Sequence, residues 1–266
     1  MPARSPELLV SPEPGALGEH EAHLHVLRLD ALAQTSEPDL LARYGELLTP
    51  EEGERQRRYL FEHSRRQHLL TRVLVRNVLS RYAAVEPRAW RFATNAHGRP
   101  HIAAPALAAP LAFNLAHTEG LIVCLVARSD AAGVDAEHTL RRTAYAQVAG
   151  RFFSRAEAAA LRALPPDAQP ERFFAYWTLK EAYIKARGLG LAIPLSAFSF
   201  DLEGDGIRIA FDARIDDEPA AWQFARVALS PEHACAIAQR VGPGVRAELR
   251  QFEWTAPIDR SAPAAR

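Results

Sequence analysis

Two carboxylates separated by one alanine, Asp135 and Glu137 in the stretch GVDAEHT, are the first residues of this 266-residue chain whose types and spacing could do chemistry. They follow closely on LIVCLVA, residues 121–127, a run that reads as a buried strand. Side chains alternate faces along a strand, so Asp135 and Glu137 point the same way, with Val134 and Ala136 on the other side. Two negative charges side by side repel, which costs stability unless a cation sits between them. The chemistry implied is cation binding.

A second anomaly lies about forty residues on, in PERFFAYWTLKEAYIKARGLGL. Phe173, Trp177 and Ile184 form an apolar helical stripe, with Glu181 and Lys185 four residues apart on its flank. Such a pair is commonly a solvated surface pairing that contributes roughly 0.2–0.5 kcal/mol. Here it lies against an aromatic face, and the helix runs into Gly188 and Gly190, either of which can supply a left-handed cap. A third carboxylate beside the Asp135/Glu137 pair would make a hard-cation site. Mg²⁺ favours octahedral oxygen coordination and keeps waters and substrate phosphates among its ligands. Spacing alone leaves both the surface pair and the metal site open.

The elements that must position these residues follow from periodicity and punctuation. Residues 23–30 alternate as a strand, and Thr49, Pro50 and two glutamates open a helix with an N-cap, an N1 proline and an acidic first turn. Leu70, Val73, Leu74, Val78 and Tyr82 mark a long amphipathic helix, with Ser64 as its expected N-cap. Strand, turn and strand follow around residues 95–100, then two strands joined at 118–120. The pattern then begins again: helices over 141–150, 154–164 and 171–187, a hairpin around 204–206, and strands in WQFARVALS and HACAIAQRV. Cys124 and Cys235 fall in equivalent late strands of the two rounds. The expected fold is therefore α+β with two similar halves, residues 23–130 and 131–254, between flexible segments at 1–22 and 255–266.

Composition is that of an ordinary globular chain, 48% hydrophobic and 24% charged, with Lys+Arg 32 against Asp+Glu 32. That balance speaks against a polybasic nucleic-acid or membrane binder. The first 23 residues lack the apolar core of a signal peptide, and no apolar run approaches the ~18 residues of a membrane span. Both cysteines sit in apolar runs, where a free thiol behaves as a small hydrophobe, so a reducing cytoplasm is expected.

GVDAE followed by FFAYWTLKEAYIKARGLGL resembles the signature of the Sfp-type, surfactin-synthetase-activating 4′-phosphopantetheinyl transferases, G-[IV]-D-x-E and then W-[ST]-x-K-E-[AS]-x-x-K-x-x-G-x-G-L. Gly133, Asp135, Glu137, Trp177, Lys180, Glu181, Lys185, Gly188, Gly190 and Leu191 all fit it. Upstream, LVRNVLSRY, HGRP and FNLAHT are similar to further family segments, so the resemblance covers roughly residues 45–230.

The resemblance implies two halves related by pseudo-twofold symmetry, with the active site in the cleft between them. It also implies a Mg²⁺-dependent enzyme that moves the phosphopantetheine arm of coenzyme A onto a serine of an acyl, peptidyl or aryl carrier protein and releases adenosine 3′,5′-bisphosphate. Carried over, Asp135, Glu137 and Glu181 would surround the metal, Glu181 would be the base, and Lys185 would stabilise the departing phosphate. His117, Arg99, Arg55, Arg65, Arg66, Lys180 and Lys185 are the coenzyme A candidates, with Lys180 either a phosphate or a structural partner. Carrier docking would fall to residues 151–153 or the Arg141–Arg142 pair, and a chain that supplies both halves is expected to act as a monomer. Two positions depart from the family pattern: Ala116 stands where serine is usual, and Glu52 where a base is common. The competing classes are a Mg²⁺-dependent nucleotide pyrophosphate hydrolase and a catalytically silent carrier-protein binder.

Overall fold

A computed structural model describes residues 8–10, 16–140, 144–204 and 206–254, so the expected tail at 255–266, the Arg141–Arg142 pair and much of the 1–22 segment lie outside the described residues. Strand β1 (Leu8–Val10) comes first. One round of elements follows: β2 (Glu21–Arg28), α1 (Glu37–Tyr44), α2 (Pro50–Arg58), α3 (Glu62–Leu79), the hairpin β3 (Arg91–Thr94) and β4 (Pro100–Ala104), then β5 (Ala112–Thr118) and β6 (Leu121–Ala127). The second repeats it: β7 (Ala132–His138), α4 (Tyr145–Phe152), α5 (Arg155–Ala163), α6 (Gln169–Arg187), the hairpin β8 (Phe198–Asp201) and β9 (Arg208–Phe211), then β10 (Trp222–Ser230) and β11 (His233–Arg240). In each round the first strand pairs antiparallel with the last, and the last with the one before it. The fold is α+β, built from two halves of the same topology.

The helices start where their capping chemistry allows. Thr49 and Glu52 form a reciprocal capping box ahead of α2, and Ser154 and Glu157 do the same for α5. Helix α3 departs from expectation: its N-cap is Phe61, which has no side-chain cap bond, and the Ser64 amide already donates to the Phe61 carbonyl. Helix α6 buries residues on most of its circumference, among them Phe173, Tyr176, Leu179 and Tyr183, as a helix covered on several sides must. It ends at Gly188 (φ 64°), whose amide donates to the carbonyls of Ile184 and Lys185.

The two sheets lie face to face. Leu24 and Val26 of β2 and Val123 and Leu125 of β6 share one apolar cluster with Val134 and Ala136 of β7 and Cys235 and Ile237 of β11. Helix α3 covers the far face of the first sheet and α6 that of the second, giving an α/β/β/α stack. Both cysteines are free and buried in these layers, and burial pushes both thiols up. Among the described residues, no helix is long and apolar enough to cross a membrane.

The boundary at 254 takes a different form from the one the repeat suggests. A further strand, β12 (Glu248–Trp254), joins the first sheet, parallel to and between β1 and β2. The free edge of β2 accepts its backbone, and Trp254 donates from Nε1 to His25 Nδ1 at 3.0 Å. Strand pairing across so many residues leaves no local trace in the sequence.

Helix α6 crosses β7 in backbone contact. A Cβ on Gly133 would lie 2.2 Å from the Ala182 carbonyl oxygen and 2.5 Å from the Ala186 nitrogen. Gly133→Ala should therefore cost about 1–3 kcal/mol or more of folding free energy. Urea unfolding reads this directly, and an unchanged midpoint would contradict so close a crossing.

Candidate functional site

Strand alternation does at β7 what the sequence suggests. Val134 and Ala136 enter the core between the sheets, while Gly133, Asp135 and Glu137 face α6, where Glu181 and Lys185 lie. Asp135 is buried. Its Oδ1 accepts from Lys185 Nζ at 2.7 Å, and the same ammonium donates to the Val134 carbonyl at 3.1 Å. Its Oδ2 is buried with no hydrogen-bond partner. Glu137 accepts from the Trp177 indole Nε1 at 3.2 Å, so the aromatic stripe of α6 orients one of the carboxylates.

Glu181 is half-buried. Desolvation first, then the charges of Asp135 and Glu137, raise its pKa, and Lys185 only partly opposes them. Three carboxylates thus share one electrostatic neighbourhood with a single ammonium. Among the described residues, no three His, Cys, Asp or Glu side chains are gathered closely enough to hold a metal ion among them. The donor set still fits a hard cation, because Mg²⁺ is commonly held by one or two carboxylates with the remaining positions left to water and phosphate. The orphaned Asp135 Oδ2 is a ready first ligand.

His117, at the end of β5, joins this neighbourhood from the first half. The residue is exposed, yet desolvation and then the Lys185 charge lower its pKa, against a smaller opposing effect of Asp135. Arg55 is exposed on α2, with its charge reaching His68.

The other basic candidates have structural engagements. The Arg99 guanidinium donates to the carbonyls of Lys185 at 2.9 Å, Ala186 at 2.7 Å, Ala132 at 3.1 Å and Asp130, which makes it a clamp on the C-terminus of α6 rather than a free anion contact. Arg65 forms a fork on Glu37, with Nε and Nη2 each 2.8 Å from a carboxylate oxygen, and donates to the Tyr59 and Leu60 carbonyls. Arg66 donates to the Leu32 carbonyl at 2.8 Å and lies 3.6 Å from Glu62. Glu52 completes the α2 capping box and pairs with Arg76 at 2.8 Å.

Lys180 takes the structural alternative. It is fully buried in the second half's core, 2.8 Å from Glu157, and donates to the carbonyls of Leu195 and Phe198. Desolvation lowers its pKa to about 8, against the pull of Glu157. All the polar partners that the structure gives this ammonium lie inside the fold.

Periodicity did not single out Asn114. This buried side chain of β5 accepts from the Val134 amide at 2.9 Å and fixes β7 beside Asp135. An asparagine inside an otherwise apolar strand must satisfy its amide, and that requirement was its signal. Asn95 is similar: its Nδ2 donates to the Gly188 carbonyl at 2.8 Å, and its Oδ1 accepts from the amides of His97 and Arg99.

Comparison with known proteins gives a consistent set of matches. A family model described as the 4′-phosphopantetheinyl transferase superfamily matches residues 131–238, and one described as 4′-phosphopantetheinyl transferase, N-terminal, matches residues 35–130. The 4′-phosphopantetheinyl transferase Sfp of Bacillus subtilis (strain 168) is 36% identical over 165 residues, covering 62% of this chain and 70% of that protein. HetI of Nostoc sp., also a 4′-phosphopantetheinyl transferase, is 34% identical over 172 residues, covering 65% and 70%. The solved holo-[acyl-carrier-protein] synthase of Thermotoga maritima overlaps 42% of this chain and 62% of its own at 16% identity and a TM-score of 0.34, too slight a likeness to bear on the fold.

Two stability measurements check these placements. Removing one partner of a buried ion pair strands the other, so Lys180→Met should destabilise the fold by about 3–5 kcal/mol. A variant that melts like wild type would return Lys180 to the ligand set. Glu181 binds its proton more tightly folded than unfolded, so its ionisation costs stability above the ordinary value of 4.5 and nothing well below it. Glu181→Gln should therefore raise the melting temperature at pH 7, and the gain should fade as the pH falls through the raised folded value toward 4.5 and vanish well below it.

Proposed function

The chain belongs to the 4′-phosphopantetheinyl transferase superfamily, and from that premise we propose that it moves the phosphopantetheine arm of coenzyme A onto a serine of an apo carrier protein, as a cytoplasmic monomer. The observation that carries the reading is the juxtaposition of Asp135, Glu137, Glu181 and Lys185 where α6 crosses β7, with Asp135 Oδ2 buried and unpartnered. Asp135, Glu137 and Glu181 would hold Mg²⁺, which when bound supplies neutralising positive charge to the pyrophosphate oxygens.

The residues of the chain do the rest by positioning and proton handling. The serine hydroxyl attacks the β-phosphorus of coenzyme A, a new P–O bond forms, and the bridging bond to the α-phosphate breaks. Adenosine 3′,5′-bisphosphate leaves with the bridging oxygen. Glu181 takes the serine proton, directly or through a water. The Lys185 ammonium faces the α-phosphate as charge builds there. His117 offers a ring N–H to a phosphate oxygen from the first half, and Arg55 lends its charge to the nucleotide end.

Weighing an apo carrier protein intact after incubation with the enzyme, coenzyme A and Mg²⁺ tests the reading. One phosphopantetheine should be gained, EDTA should abolish the gain, and Asp135→Ala and Glu181→Ala should each reduce the rate by at least about a hundredfold without unfolding the protein. Coenzyme A cleaved with no gain on the carrier would instead support pyrophosphate hydrolysis. Full transfer by either variant would overturn the residue roles.

A further inference from the structure

The turn after His117 is held from several directions at once. Within the first half, Gln67 of α3 donates from Nε2 to the Thr118 carbonyl at 3.0 Å, and the Leu29 amide donates to the Gly120 carbonyl at 2.9 Å. From the second half, the His138 amide donates to Thr118 Oγ1 at 3.0 Å, and His233 Nε2 contacts the Glu119 carbonyl at 2.8 Å. Three consecutive carbonyls and one hydroxyl of a three-residue turn are thus engaged, two of these contacts across the junction of the halves.

The second-half side of this contact is itself braced. Only a ring N–H can pair with a carbonyl, so Nε2 carries the hydrogen and a neutral ring accepts at Nδ1. The Ser230 hydroxyl meets Nδ1 at 2.7 Å, and Ser230 Oγ in turn accepts from the Glu232 amide at 3.2 Å. The Thr139 amide donates to the Glu232 carbonyl at 2.8 Å, which ties the β10–β11 turn to the end of β7, two residues from Glu137. The His138 and His233 rings meet edge to face with centroids 5.2 Å apart, and Gly120, at φ 76°, presents its Cα side to the His233 ring.

We propose that His233 is a positioning residue for coenzyme A: through the Glu119 carbonyl it fixes His117 of the first half relative to Asp135, Glu137 and Glu181 of the second. This rests on the transferase reading, in which one ligand spans both groups. His233 touches no reacting atom in that reading. It sets the distance between two sets of contacts that must close on the same molecule, and binding across a loosened junction must first restore that distance.

Calorimetric titration of coenzyme A with Mg²⁺ into wild type, His233→Ala, His233→Gln and Thr118→Val tests it. His233→Ala should weaken binding about five- to tenfold, and Thr118→Val, which breaks the same junction from the opposite side, should weaken it at least about twofold. His233→Gln, whose amide can donate to the Glu119 carbonyl, should bind within about twofold of wild type. Transfer at saturating coenzyme A should keep its kcat within about twofold in all three variants, so that the loss appears in KM. A histidine that merely supports the fold would lower the melting temperature and the active fraction with an unchanged dissociation constant, and that result overturns the proposal. Should His233→Ala fail to fold, unchanged affinity in Thr118→Val overturns it equally. Wild type that binds no coenzyme A would remove the transferase reading and this inference together, whereas wild-type binding with unaltered variants removes only the inference.

Discussion

Backbone contact between β7 and α6 at Gly133 governs most of what surrounds the site. A strand and a helix approach this closely only where no Cβ stands between them, and the helix meets the glycine with two alanines, Ala182 and Ala186. Once that crossing is set, strand alternation delivers Asp135 and Glu137 to the helix, and the helical repeat delivers Glu181 and Lys185 to the strand. The charges then have little freedom to separate. Their mutual repulsion is a cost of the architecture, offset in part by Lys185 and in part by the packing that fixes α6 in place.

That packing explains why so many charged residues of this chain are structural. Helix α6 is secured at its end by the Arg99 clamp on the carbonyls of Lys185 and Ala186, and by Arg187 and Tyr183 on Asp217, which also accepts from the Trp222 indole at 2.9 Å. In its middle, Lys180 meets Glu157, and Glu157 also caps α5 and accepts from the Phe200 amide at 2.9 Å. A helix held so firmly keeps Glu181 and Lys185 in fixed register with β7, which is the preorganisation that phosphoryl-transfer chemistry rewards.

Much of this was legible in local sequence pattern. Two-residue alternation at GVDAE correctly set the facing of Asp135 and Glu137, the N-cap at Thr49 marked a real helix start, and of the two glycines offered as a cap Gly188 is the one that ends α6. The repeated order of strand, helices, hairpin and two strands gave the two halves. What local pattern could not supply shares one cause. Arg65, Arg99 and Lys180 are long cations whose partners, Glu37, the end of α6 and Glu157, are brought near by tertiary packing, so nothing in their neighbouring residues distinguishes a structural partner from a ligand contact. Ser64 had the right chemistry for a cap, but the chain turns helical at Glu62 without one.

The position of β12 bears on how the chain is made. Its Glu248 pairs with Glu21 of β2, so these partners leave the ribosome more than two hundred residues apart. Until β12 is synthesised, β2 can pair with β6 on one side while its other edge remains an open template of unpaired amides and carbonyls. The first half can thus gather its core early but cannot close its sheet until the second half has been translated. The first sheet is complete only once the strand that ends at Trp254 exists to fill the place between β1 and β2.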